Sequence, residues 1–489
     1  MCRALALCVA AALAAAVPAS AFTPPNPLAP RQWYLQDDHA FDAWDTPPTD
    51  LAPVKVAIVD SGIDCLLPDF ADRIVATKSF VGGSPCVDTE GHGTFVAGEI
   101  AADLGTQGIV GIAWSAQLLI AKVVTADGTI PLTAEADAIR WAVDNGARVI
   151  NLSLGGVRDP ENPSHDTFSS LEASAVAYAY SKGALLVAAV GNGDEAPATP
   201  WPYASYPAAL PHVIGVSALT RTGNVPDFSN RDAIFNDLSA PGVAMFSTFP
   251  SALTALRQGC PDQGYSDCGT EDYRNAEGTS FAAPQVAAAA ADLFAVDPLL
   301  TPSQVSFVLE RSATDVNASN GCPRCGLQRD ALSGWGRLDV AAAIEALAGP
   351  LPPPDADETN DDAGSQAHTV WGKNDTIVAT VDYWDDPVDV YRIQLQGHER
   401  LRAAVTGAAG GASLGLELWR PGTVHVDVSS SKRLLAVEPA PPAGAQHVTF
   451  RAPGRGWYYL EVRAASAGFT PYTLTISKTA TGSRAARRR

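Results

Sequence analysis

The chain has 489 residues, enough for two or three domains at roughly 100–200 residues each. Hydrophobic residues make up 46% and charged residues only 18%, which excludes a disordered chain and allows large cores. The formal net charge of -20 argues against nucleic acid as a partner, because phosphate binding needs clustered Lys and Arg.

The first residues read as an export signal. Arg3 supplies a positive start, Ala4 to Val17 is apolar, and Ala19-Ser20-Ala21 fits a small-x-small cleavage site. The expected signal is residues 1–21. Its apolar run is too short for a membrane span, and no later charge-free stretch reaches about 18 apolar residues. An exported, extracellular and soluble chain is expected, with no integral membrane segment.

From Val54 to Ala348 two textures alternate. Short continuous apolar runs, Val54–Val59, Leu118–Val124, Val149–Leu154, Ala184–Val190 and Val213–Val216, read as strands buried on both faces. Alanine-rich segments between them, such as Thr133–Asn145, Ser170–Lys182 and Pro284–Phe294, read as helices. The alternation predicts an α/β domain over residues 22–348, with a largely parallel sheet flanked by helices. Active sites in such sheets gather at the carboxyl ends of the strands.

A Pro-rich acidic stretch, residues 349–366, has linker composition. Beyond it the period changes to two. Tyr391, Ile393 and Leu395, then Leu414, Leu416 and Leu418, then Tyr458, Leu460 and Val462, then Tyr472, Leu474 and Ile476 alternate with polar or small residues. Residues 367–480 are therefore predicted to form an antiparallel β-sandwich, followed by a basic tail at 481–489.

Of eight cysteines, Cys2 and Cys8 fall in the signal. The other six suggest disulfides, with neighbours pairing: Cys65–Cys86, Cys260–Cys268 and Cys322–Cys325. Cys322-Pro-Arg-Cys325 also admits a metal or redox reading, although no second CxxC completes a zinc site.

Three segments carry reactive side chains. The run Val54–Val59 ends in Asp60, where a rigidly placed carboxylate could orient a histidine or simply cap a loop. His92 lies between Gly91 and Gly93 at a predicted helix start, either reactive or a surface histidine. Ser280 follows Gly278-Thr279 and precedes Pro284 and an alanine-rich helix. It is either an N-cap or a hydroxyl beside free helix N–H groups that favour an oxyanion.

Together the segments Ile58-Val-Asp60-Ser-Gly, Gly91-His92-Gly-Thr-Phe-Val-Ala-Gly98 and Gly278-Thr-Ser280-Phe-Ala-Ala-Pro284 resemble the subtilisin-like serine proteases, with the Asp, His, Ser order of that family. The resemblance covers roughly residues 30 to 348. It implies a serine endopeptidase acting on protein or peptide substrate, with Asp60, His92 and Ser280 as triad and no cofactor for the chemistry. It further implies Asn192, in Val190-Gly-Asn-Gly193, as an oxyanion-hole donor. Ser153, Leu154, Gly155 and Gly156 resemble the edge strand for substrate. Ala189 and Gly191 resemble walls of a roomy primary pocket suited to apolar side chains. A monomer is expected.

Two points depart from the family. Only about forty residues separate the signal from Asp60, fewer than a pro-domain needs, and Arg31–Gln36 and Ala40–Trp44 resemble the mature amino end. Asp69 resembles a calcium ligand, yet Leu104-Gly105 stands where relatives offer an asparagine. Asp386–Tyr391 and Gly456–Val462 resemble the bacterial pre-peptidase C-terminal domain. Trp419 and Trp457 are expected to pack in its core or to meet sugar.

Overall fold

The computed structural model describes residues 22–44, 46, 48, 51–256, 272–426, 435–437 and 446–480. The expected signal, the Cys260–Cys268 pair and the basic tail lie outside the described residues.

Among the described residues, the amino-terminal part carries nine strands: β1 (Lys55–Asp60), β2 (Ile74–Ser79), β3 (Gln117–Lys122), β4 (Val149–Leu152), β5 (Leu185–Ala189), β6 (Val213–Leu219), β7 (Leu238–Pro241), β8 (Met245–Thr248) and β9 (Tyr273–Ala276). Its helices are α1 (Tyr34–Asp37), α2 (His92–Ala101), α3 (Leu132–Asp144), α4 (Ser170–Ser181), α5 (Ser251–Leu256), α6 (Ala283–Val296), α7 (Pro302–Ser312) and α8 (Val340–Ala346). Seven strands form one parallel sheet in the order β2-β3-β1-β4-β5-β6-β7, and β8 pairs with β9 in a separate antiparallel ribbon.

The continuous apolar runs are explained by a core on each face. Val56 and Ile58 of β1 and Leu118 and Ile120 of β3 pack with Phe95 and Ile100 of α2 and the alanines of α6. The intervening Ala57, Val59, Leu119 and Ala121 pack on the other face, against Ile139 of α3 and Val176 of α4. Successive side chains point to opposite faces, so a doubly covered strand must be apolar at every position. The segment Thr279–Val296 is long and apolar enough to cross a bilayer, but 89% of it is buried inside the protein, where α6 serves as the core helix.

The remaining chain forms β10 (His368–Val370), β11 (Asn374–Asp382), β12 (Val388–Leu395), β13 (Arg400–Gly407), β14 (Leu414–Trp419), β15 (Leu435–Val437), β16 (Gln446–Arg451), β17 (Gly456–Ala464) and β18 (Phe469–Thr479). They make a five-stranded sheet, β10-β12-β17-β14-β15, and a four-stranded sheet, β11-β18-β13-β16. The alternating residues named above face one shared core. Pairing is antiparallel except for β10, which runs parallel to β12. Trp419 is fully buried. Trp457 lies edge-on to the exposed Trp371.

The β-domain docks on the α/β domain near the amino ends of β6 and β7. His212, just before β6, donates its backbone N–H to the Asp385 carbonyl at 3.3 Å. Two ring pairs cross the junction, Phe307 with Phe469 at 4.9 Å and Trp335 with Trp384 at 5.0 Å.

Candidate active site

Asp60 is the last residue of β1, and His92 opens α2. The His92 Nδ1 lies 2.9 and 3.0 Å from the two oxygens of Asp60. Asp60 is 3% exposed, and its Oδ1 also accepts the Ser61 amide at 2.7 Å. The approach of the two segments depends on Gly93. A Cβ there would sit 2.2 Å from the Gly62 carbonyl oxygen, which no side chain tolerates.

Asp88 holds this arrangement, and the sequence reading missed it. Its carboxylate accepts the amides of Gly91 (2.8 Å) and Thr94 (2.9 Å), the Thr94 hydroxyl (2.6 Å) and the Ser61 hydroxyl (2.9 Å). It thereby satisfies orphan N–H groups at the start of α2 and ties that helix to the loop after β1. The available signal was an acid four residues before a glycine-flanked histidine. Lys122, at the end of β3, donates to the carbonyls of Ser61 (2.6 Å) and Val87 (2.9 Å) and fixes the same two loops. The Cys65–Cys86 disulfide bridges them again, and Cys322–Cys325 is also bonded, so those two sulfurs are not thiolates that could hold a metal.

Burial works against the charged form of the His92 ring. The Asp60 carboxylate, with help from Asp88 and Glu90, outweighs that and holds the imidazole above its ordinary range. Glu90 and Glu195 line the same cleft, and burial pushes both carboxyls up.

Ser280 sits in a single 3-10 turn, Thr279–Phe281, that leads into α6. The expectation of a helix start is therefore refined: a tight turn presents the serine one step before the helix proper. Its Oγ donates to the Ser153 carbonyl at 3.2 Å, while the Ser153 hydroxyl donates to the Ser280 carbonyl at 2.7 Å. Asn192 follows β5. Its Oδ1 accepts the Thr279 amide (3.0 Å) and hydroxyl (3.1 Å), which leaves its Nδ2 as the donor available to the cleft.

Asp60, His92, Ser153, Leu154, Gly155, Ala189, Gly191, Asn192 and Ser280 all border one cleft of about 320 Å³. Gly191 has φ +94, and a Cβ there would lie 2.3 Å from the Ser205 hydroxyl. Gly156 is the exception among the expected substrate residues. Its N–H and carbonyl both bond Tyr206, each at 2.9 Å, so a neighbouring segment already occupies that part of the edge.

The calcium implied at Asp69 meets a poor fit. Asp69 Oδ1 accepts the Ile109 amide at 3.2 Å, and both oxygens accept the Tyr273 hydroxyl, at 3.1 and 2.9 Å. Among the described residues, Asp69 also belongs to no group of three or more acidic or histidine side chains placed to share a cation, whereas calcium takes about six to eight oxygens. Among the described residues, carboxylates do gather elsewhere, all near the junction with the β-domain: His212 with Glu358, Asp361 and Asp386; Asp355 with Glu358, Asp386 and Asp389; and Asp237 with Glu310 and Asp385.

This geometry suits nucleophilic acyl transfer: an oriented imidazole, a hydroxyl at a turn and an amide donor around one cleft. Comparison with known proteins agrees. The subtilase family model matches residues 52–336. Subtilisin DY of Bacillus licheniformis is 36% identical over 269 residues, covering 55% of this chain and 86% of that protein. Subtilisin BL of Lederbergia lenta is 37% identical over 268 residues, covering 55% and 86%. Thermitase of Thermoactinomyces vulgaris is 35% identical over 273 residues, covering 55% and 84%. On its sheet order, its cleft and these relatives together, the chain belongs to the subtilase family and is a serine-type endopeptidase.

Proposed function

We propose a secreted endopeptidase of broad specificity in which Ser280 attacks the scissile carbonyl. The single observation that carries this is the His92 Nδ1 bonded to both Asp60 oxygens in the cleft that also holds Ser280 and Asn192. Rotation of the Ser280 hydroxyl away from the Ser153 carbonyl brings it to His92, which takes its proton. Asp60 keeps the ring in the tautomer with Nδ1–H and stabilises the imidazolium that forms. The Asn192 Nδ2 and the Ser280 backbone N–H bind the oxyanion. His92 then protonates the leaving amine, and water hydrolyses the acyl-enzyme.

Small Ala189 and Gly191 beside Leu154 and Gly155 support an apolar preference at the primary pocket, with the peptide lying along Leu154–Gly155 as an added strand. Two disulfides among the described residues support an oxidising compartment, hence export after removal of residues 1–21. Residues 22–348 are assigned to the protease domain and 367–480 to the β-domain of a monomer.

A serine-directed fluorophosphonate, with casein hydrolysis beside it, tests the assignment. Labelling and hydrolysis that both vanish in Ser280→Ala are expected. Equal labelling of the folded variant rules out Ser280 as nucleophile. Labelling without casein cleavage replaces broad specificity with a narrow processing role.

A further inference from the structure

We propose that Asp237, Glu310 and Asp385 form a calcium site that fastens the β-domain to the protease domain. Asp237 immediately precedes β7, Glu310 lies on α7, and Asp385 lies in the turn between β11 and β12. The three residues come from opposite sides of the junction, and each contributes a carboxylate oxygen within 4.8 Å of the others. Oxygens gathered this closely can share one cation, and the flexible shell of calcium accepts ligands from separate segments more readily than the strict octahedron of magnesium. The donors are all hard oxygens, which selects calcium over the softer transition metals.

A second observation points into the same space. Glu310 is 3% exposed, and its Oε1 accepts no hydrogen bond. A buried carboxylate oxygen with no donor is costly unless a cation or a proton meets it. Asp237 is 1% exposed and has each oxygen bonded once, Oδ1 by Arg329 (3.2 Å) and Oδ2 by the Gly215 amide (2.8 Å). A carboxylate has about four acceptor positions, so both oxygens retain capacity for an ion.

Arg329 pairs with Asp237, and Arg311 pairs with the neighbouring Asp382 at 3.4 Å, so the two basic side chains beside this group are both engaged by other carboxylates than Glu310 and Asp385. The site lies far from the triad in the fold, so it concerns the attachment of the two domains rather than peptide hydrolysis.

The test uses the full chain carrying Ser280→Ala, which prevents self-digestion. Bound calcium is counted after equilibrium dialysis for this protein and for the same protein with Asp385→Asn or Glu310→Gln. One calcium fewer per chain in each variant is expected. Terbium as a probe should show luminescence sensitised by the nearby Trp335 and Trp384, lost by at least tenfold in both variants. Casein hydrolysis by the two variants with Ser280 restored reports that they fold. An unchanged calcium count in a folded Asp385→Asn and Glu310→Gln pair overturns the site, and the carboxyls then share protons instead.

Discussion

The tether between Asn192 and Thr279 gives a graded test of the oxyanion hole. Asn192→Ala removes the Nδ2 donor, and loss of such a donor typically costs about 10²–10³ in turnover, or about 2.7–4 kcal/mol. Thr279→Val keeps the backbone N–H bond to Asn192 Oδ1 at 3.0 Å but deletes the hydroxyl bond at 3.1 Å. One neutral hydrogen bond contributes about 0.5–1.5 kcal/mol, so Thr279→Val should lose roughly twofold to tenfold. The effect of Thr279 runs through Asn192, so the double variant should be no slower than Asn192→Ala alone. The assay is kcat and KM on a chromogenic peptide amide, with the losses expected in kcat. A fall below fivefold in Asn192→Ala, a loss carried by KM, or multiplicative losses in the double variant would refute the reasoning.

Two further outcomes are expected. The Cys65–Cys86 bond closes a 21-residue separation, so replacing both cysteines with serine should cost about 3 kcal/mol by loop entropy; an unchanged urea midpoint in the Ser280→Ala background would sink this. The raised His92 pKa means the ring stays protonated, and unable to accept the Ser280 proton, somewhat above the ordinary imidazole range; kcat/KM should therefore rise as pH climbs through that raised value. Glu90→Gln removes one of the anions that hold it up and should move the acid limb to lower pH, whereas an unmoved or upward-moved limb would count against the electrostatic account.

The parallel sheet was legible because five of its strands must be apolar throughout. The edge strand β2 was not, since Val75, Thr77 and Lys78 face solvent and Ile74, Ala76 and Ser79 are only half-buried, so nothing in its sequence demands a sheet. Short β7, ending in Pro241, gave too little pattern to mark it as a strand. In the β-sandwich, alternation identified β12, β14, β17 and β18 together with the residues that fill the core. At the site, Asp60, His92 and Ser280 could be read because each stands in a glycine-bearing motif at an element boundary. Asp88 looked like any polar loop residue, and its role depends on bringing Ser61, from the loop after β1, together with Thr94 of α2. The pairing of Gly156 was hidden for the same reason: Tyr206, its partner, is fifty residues away in sequence. The carboxylates at 237, 310 and 385 share no motif and meet only across a domain junction.

The position of that junction sets what the β-domain can influence. It grips the chain just ahead of β6 and β7, whereas Asp60 closes β1 and Ser153 and Asn192 follow β4 and β5, at the opposite rim of the sheet. At about 3.3 Å per residue, a strand the length of β6 puts on the order of 20 Å between the two rims. An appendage on the far rim cannot act as a shutter over the cleft. The groove at the opposite rim is left uncovered by the β-domain, so removing that domain should leave the groove's own walls, from Leu154 to Asn192, in place.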